Sequence, residues 1–301
     1  MSKFINKKRR HIQSPGDILF DLVNTLIMVA LLIATFYPIW YVFCASFSSS
    51  TAVTQNPGKL LWPVDFSIAA YQKAFEHPLI VSGFRNIIIV ILIALPLNLV
   101  MTMLCGYFMA SKDVYLKKVI VSFLLLTMFF GGGLIPTYLN QKSLGLYNNL
   151  WALIIPGALS MYNAIICKTA IETIPDSLTE SAYMDGANDF TVLIRIITPL
   201  IKPTLAVLAL YYGVGHWNGW FNASLYITDN EKLPIQNILR AILIANDNML
   251  NKGAASTDDI NTYAETIKYA AIVISTIPIL CIYPFLQKYF VKGVMIGAVK
   301  G

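Results

Sequence analysis

The chain is 301 residues long, 56% hydrophobic and only 13% charged, with a formal net charge of +6. A soluble domain carries roughly 25% charged residues, so this composition excludes an ordinary water-covered surface and places much of the chain against lipid. The basic residues sit in short clusters between apolar runs, which argues against nucleic-acid binding and marks membrane topology instead.

The first segment, MSKFINKKRRHIQSPGD, is basic. The apolar run after it is too long for a signal-peptide core and has no clear cleavage site, so it reads as a retained span. A span needs about 20 mostly apolar residues. Six runs are candidates: 23–47, 87–110, 119–139, 150–167, 203–221 and 269–285, the fourth and sixth being short. The predicted fold is all-α, a polytopic membrane protein with six transmembrane helices over 23–285, an inner segment 1–22 and an inner tail 286–301. With the N-terminus inside, 14 of the 22 Lys and Arg residues fall on inner segments and 8 on outer ones. The bias puts both termini in the cytoplasm. Cys44, Cys105, Cys167 and Cys281 each lie alone in an apolar run, so neither a disulfide nor a metal site is expected.

The outer loop 48–85 contains DFSIAAYQKAFEHP. Ile68, Tyr71 and Phe75 recur at helical spacing after Ser67, which predicts a short interfacial helix capped by that serine. Asn86 and Asn98 lie in the second run, where interhelical hydrogen bonds are the default use of an amide. Gly131, Gly132 and Gly133 with Pro136 predict close helix packing in the third run, with a gate as the alternative. Neither these glycines nor any other stretch forms a GxxxxGK[ST] phosphate loop. Any ATP used is therefore hydrolysed by another chain.

The inner segment 169–198 carries the sharpest local signal. Pro175 suits a helix start, because its missing N–H would have no partner there. Asp176 and Glu180 put negative charge near that N-terminus. Leu178, Ala182 and Tyr183 form a narrow apolar stripe. Gly186 is placed to end the helix in a left-handed conformation. Asn188 or Asp189 then caps a second helix beginning at Phe190, and Pro199 and Pro203 interrupt the approach to the fifth span. Ser181, Ala182 and Ala187 leave a face of small residues on which a partner can pack. An ordinary interfacial hairpin is the alternative.

At the outer end of the fifth run stands YYGVGHWNGWFN. Tyr212, His216, Trp217, Asn218, Trp220 and Asn222 combine aromatic faces with amide groups, as sugar sites do. The same residues also make interfacial belts, so belt and translocation path both stay open. The outer loop 222–268 is long and polar, without obvious structure. No run has a central Asp or Glu, which counts against a proton- or sodium-coupled transporter.

The segment ESAYMDGANDFTVLIRIITPLIKP resembles the EAA loop of binding-protein-dependent ABC permeases. Glu180, Ala182, Asp185, Gly186 and Pro199 match that pattern; Ser181 replaces an Ala and Thr198 a Leu. FRNIIIV, FFGGGLIPTYLNQKSLGLYNNLWALIIPGALSMYNAII and QKYFVKGVMIGAVKG extend the resemblance to the MalG-type carbohydrate permeases over nearly the whole chain. The branch serving complex oligosaccharides is the most similar. The resemblance implies a type I ABC importer permease in a bacterial cell membrane. Its coupling helix would end at Gly186, with Glu180, Ser181, Ala182, Asp185, Gly186 and Ala187 meeting an ATPase. It also implies a second permease subunit, two ATPase subunits that bind ATP and Mg, and an extracellular solute-binding protein. The solute itself stays open between an oligosaccharide, a monosaccharide, a sugar derivative and a lipid-linked compound.

Overall fold

The computed structural model describes residues 15–112, 114–251, 266–282 and 284. Among them every regular element is helical. The predicted tail 286–301 and most of the segment 1–22 lie outside the described residues.

The first run is α1 (Pro15–Ser46), 32 residues and apolar on all sides. Two short outer helices follow, α2 (Ser50–Gln55) and α3 (Ala69–Glu76). The predicted interfacial helix is α3, but Ser67 does not cap it in the usual way. Ile68 is the cap residue and makes no side-chain cap bond, while Ser67 Oγ accepts from Ala69 N at 3.3 Å. Tyr71 turns inward; its hydroxyl meets Ser46 Oγ at 2.8 Å and its ring packs on Phe47. Ile68 and Phe75 stay exposed.

The second run is α4 (Ile80–Ala110), unbroken although Pro96 lies inside it. It is the hub of the fold and packs chiefly on α8, then on α12 and α14. Among the described residues, only α1 and α4 are each long and apolar enough to cross a membrane unaided; two bent pairs raise the number to four. The first bent pair corrects the expectation of one continuous third span. Here α5 (Lys117–Phe129) turns by 113° into α6 (Leu134–Ser143). The turn needs Gly133 at φ +84°, a backbone state that a Cβ penalises. A Cβ on Gly131 or Gly133 would meet no atom within 4 Å, so these glycines bend the chain rather than pack it closely.

The fourth run is also broken, against expectation. It consists of α7 (Trp151–Ile154) and α8 (Met161–Ile171), separated by an irregular stretch that contains Pro156 and Gly157. Proline removes a donor and clashes with the preceding turn, so the helix restarts at a fresh cap. Ser160 Oγ accepts from Asn163 N there.

Within the inner loop, α9 (Asp176–Met184) and α10 (Asp189–Thr191) lead into a π-helical stretch, Val192–Ile197, and α11 (Thr198–Leu200). The chain then bends by 85° into α12 (Lys202–Asn218), which covers most of the fifth apolar run. Thr198 Oγ1 donates to Leu193 O at 2.7 Å across the wide turn. The outer loop is not the unstructured stretch expected. It contains α13 (Phe221–Tyr226) and α14 (Ile235–Asn251), because Ile235, Ile238, Leu239 and Ile242 repeat at helical spacing and press on α4. The last described helix is α15 (Thr266–Ile282).

Two cores result. The outer one gathers Ile80, Ile87, Trp217, Ile235, Ile238, Leu239 and Ile274. The inner one gathers Cys167, Val192, Leu193, Ile197, Ile201 and Leu208. The inner core lies under the loop that carries α9.

Candidate functional site

Two regions carry the residues singled out above. The first is the inner loop. Pro175 sits at the cap of α9 rather than inside its first turn, in an extended conformation with ψ 130°. Asp176 follows in the first turn, where the helix dipole favours a carboxylate, and its Oδ2 accepts from Lys112 Nζ at 2.6 Å. The C-terminus of α9 is a Schellman motif. Ala187 N donates to Ala182 O at 2.9 Å, and Gly186 N donates to Tyr183 O at 3.0 Å. Gly186 takes φ +81°. A Cβ there would meet nothing within 4 Å, so the demand for glycine comes from the backbone alone. Asn188, not Asp189, caps the next helix; its Oδ1 accepts from Thr191 N at 2.9 Å.

The small residues do not all face outward as expected. Ala182 and Ala187 are half-buried against the inner core, and of the three only Ser181 is exposed. The open face of the loop is acidic and apolar instead. Glu180 and Asp185 are exposed and make no ion pair among the described residues. Beside them Met184 is 88% and Phe190 67% exposed. Such a surface suits a partner that offers a basic group and an apolar cleft.

Asp189 has a role the sequence did not suggest. Its Oδ1 accepts from Tyr183 Oη at 2.7 Å and from Tyr107 Oη at 3.0 Å, and the two hydroxyls lie 2.8 Å apart. Burial pushes the Tyr183 phenol above its ordinary pKa, and the bond to Asp189 pushes it the same way. Tyr183 therefore stays protonated and can donate at neutral pH.

The second region is a cavity of about 320 Å³ at the break in the fourth apolar run. Its wall includes Pro156, Gly157 and Ser160 from the break, Asn163 from α8, Tyr211, Tyr212 and His216 from α12, and Asn222 from α13. Irregular backbone at lipid depth is tolerated only where its polar groups are satisfied. Here side chains of α4 and α12 meet two of them. Asn98 Nδ2 donates to Gly157 O at 2.6 Å. Tyr212 Oη accepts from Ser160 N at 3.0 Å and lies 2.7 Å from Thr102 Oγ1. Asn98 Oδ1 then lies 2.9 Å from His216 Nε2. A carboxamide oxygen only accepts, so Nε2 carries the proton.

The six residues picked from the fifth run thus separate. Tyr212, His216 and Asn222 line this cavity. Trp217 is buried in the outer core and donates its indole N–H to Ser275 O at 3.0 Å. Trp220 lines a second hollow of about 400 Å³ on the outer side, under the Arg240 guanidinium 3.4 Å from its ring centroid. Asn218 is exposed and lines neither. Sequence reasoning missed Thr102, Ser160, Asn163 and Tyr211. Pro156 and Gly157, side by side within an apolar run, were the available sign of the break.

Residues 67–296 match the family described as binding-protein-dependent transport system inner membrane component. Protein LplC of Bacillus subtilis (strain 168) is 38% identical over 282 residues, which is 94% of this chain and 95% of that protein. The polygalacturonan/rhamnogalacturonan transport system permease protein YtcP of the same organism is 37% identical over 285 residues, 94% and 99% of the two chains. Among solved structures, a chain of a bacterial ABC transporter involved in the import of the acidic polysaccharide alginate superposes with a TM-score of 0.84. It is 31% identical, and the match covers 93% of this chain and 99% of that one.

Proposed function

This chain belongs to the binding-protein-dependent transport system inner membrane components, and on that premise we propose that it is a permease subunit of an ATP-driven importer of oligosaccharides derived from polysaccharides. The observation that carries the reading is the inner loop. A helix stopped at Gly186 presents exposed Glu180 and Met184 between the fourth and fifth spans, where an ATPase subunit can grip it. Relatives named for polygalacturonan, rhamnogalacturonan and alginate transport support the choice of solute class.

In this reading α9 sits in a cleft of the ATPase, and Glu180 meets a basic side chain there. ATP and its Mg ion are held by two such ATPase subunits. Their closure pulls on α9 and turns an inward-open cavity outward, a population shift driven by differential contacts in the two states. An extracellular binding protein then releases the sugar, and a second, similar permease completes the pathway. Both termini are cytoplasmic. On this chain, His216, Tyr211 and Asn222 at the 320 Å³ cavity offer the aromatic face and the polar groups that sugar hydroxyls need.

The test is purification followed by transport. The gently solubilised protein should bring down an ATPase subunit. The reconstituted complex with its binding protein should take up labelled oligogalacturonides or alginate oligosaccharides only with ATP. A complex that never contains an ATPase overturns the importer reading. Uptake of neutral monosaccharides alone overturns the solute class.

A further inference from the structure

The loop that would be gripped is tied to the membrane helices in three ways. Ala182 and Ala187 rest on the inner core through apolar contact, which is non-directional. The Lys112–Asp176 pair has side chains 72% and 62% exposed, and such pairs are weak and screened. The third is the triangle of Tyr107, Tyr183 and Asp189, with sides of 2.7, 2.8 and 3.0 Å. Of its three members only Tyr107 belongs to α4.

Along α4 the next polar side chains toward the membrane centre are Thr102 and Asn98. Thr102 meets Tyr212, and Asn98 meets Gly157 O and His216. Those partners are in the wall of the 320 Å³ cavity. Nine residues of α-helix separate Asn98 from Tyr107, about 13 Å, and no proline lies between them. One continuous rod thus bears a hydrogen-bonded joint to α9 at its inner end and two to the cavity wall nearer its middle.

We propose that Tyr107 is the positioning residue through which displacement of α9 reaches the cavity wall, by way of α4. The inference rests on the reading of α9 as the ATPase-coupling helix, and it adds the route by which the pull travels. Hydrogen bonds resist both push and pull along their axis, whereas apolar faces slide. Two hydroxyl protons serve three short pairings, so removing one hydroxyl does not remove all of them. Tyr107→Phe cuts every hydrogen bond from α4 to the triangle and keeps the ring that packs on the inner core. Tyr183→Phe leaves the 3.0 Å bond from Tyr107 to Asp189 in place.

The test uses the complete transporter with its ATPases and binding protein, reconstituted in proteoliposomes. It compares oligogalacturonide imported per ATP hydrolysed. Y107F should keep wild-type ATPase content and basal hydrolysis, while solute imported per ATP falls about fivefold or more, the lower end of usual coupling strengths. Y183F should lose less than Y107F, and the double variant should lose no more than Y107F alone. Wild-type stoichiometry in Y107F overturns the proposal. So does loss of the ATPase from Y107F, which would make Tyr107 part of the docking surface, or a larger loss in Y183F than in Y107F. Absence of the ATPase from the wild-type complex instead counts against the importer reading itself.

Discussion

The inner loop and the cavity wall are built by opposite means. The loop is made from neighbours in sequence. The Ala187–Ala182 and Gly186–Tyr183 bonds that close α9, and the Thr191–Asn188 bond that opens the next helix, each span at most five residues. The cavity wall is made from strangers. Asn98 reaches Gly157 across 59 positions and His216 across 118, and Thr102 reaches Tyr212 across 110. A locally closed unit can offer its outer face to another protein without loosening its own fold. A wall held by distant hydrogen bonds can change shape only if the helices carrying them move together.

That contrast can be broken by experiment, and the largest effect belongs to the loop. Gly186→Val places a β-branched residue at φ +81°, where even a simple side chain costs about 1–2 kcal/mol. Because a Cβ there meets no atom, the damage stays local. The protein should still reach the membrane, while ATP-driven uptake falls below about a tenth of wild type, the scale of the lost α9 geometry. Normal uptake would show that the loop is not the point of grip.

Asn98→Leu should have the next largest effect and the opposite character. It leaves Gly157 O and His216 Nε2 without their partner at lipid depth, and an orphaned buried polar group costs about 1–3 kcal/mol. The apparent melting temperature in detergent should drop, with ATPase content of the surviving complex unchanged. A variant as heat-stable as wild type would mean that the break in the fourth span is held by something else.

The smallest effect is expected at the outer rim. Asp229 has its carboxyl pKa lowered, first by the N–H of Glu231 and then by Lys232. A depressed pKa contributes stability above the ordinary carboxylate value, about 4, and loses it as pH falls through the lowered one. Asp229→Asn should therefore lower the melting temperature slightly at pH 7 and by less at pH 3. An equal loss at both would assign the effect to geometry rather than charge.

The same contrast explains what was legible in the sequence. Gly186 announced its role, and the next cap narrowed to Asn188 or Asp189, because backbone demands at helix ends act within one turn. Pro175 was read one position too far into its helix for a related reason, since a proline suits both the cap and the first turn. The breaks at 130–133 and 155–160 were smoothed into spans because hydropathy counts apolar residues and ignores backbone donors. Asn98 was flagged as a helix-bridging amide, yet its partners were unreadable, because nothing near it in sequence identifies Gly157 or His216. Tyr107 and Thr102 carried no signal at all. A hydroxyl near the end of an apolar helix is ordinary, and only the fold brings Asp189 or Tyr212 to it. Conversely, α14 was written off as loop because its polar face outweighed the four apolar residues that dock it on α4.

One feature of α1 bears on how the protein comes into being. Three anchors of α1 lie near its C-terminal end: Tyr37 to Gly58 O, Trp40 to Leu61 O, and Tyr41 against Tyr269. The last of these joins the first helix to the last described one, 228 residues later. At a synthesis rate of about 5–20 residues per second, α1 stands in the bilayer for roughly 10–50 seconds before Tyr269 exists. A helix apolar on all sides can wait that long in lipid without exposing anything that must be hidden. The first span is thus the one best suited to solitude, and its docking onto the last closes the bundle only after nearly all of the chain has been made.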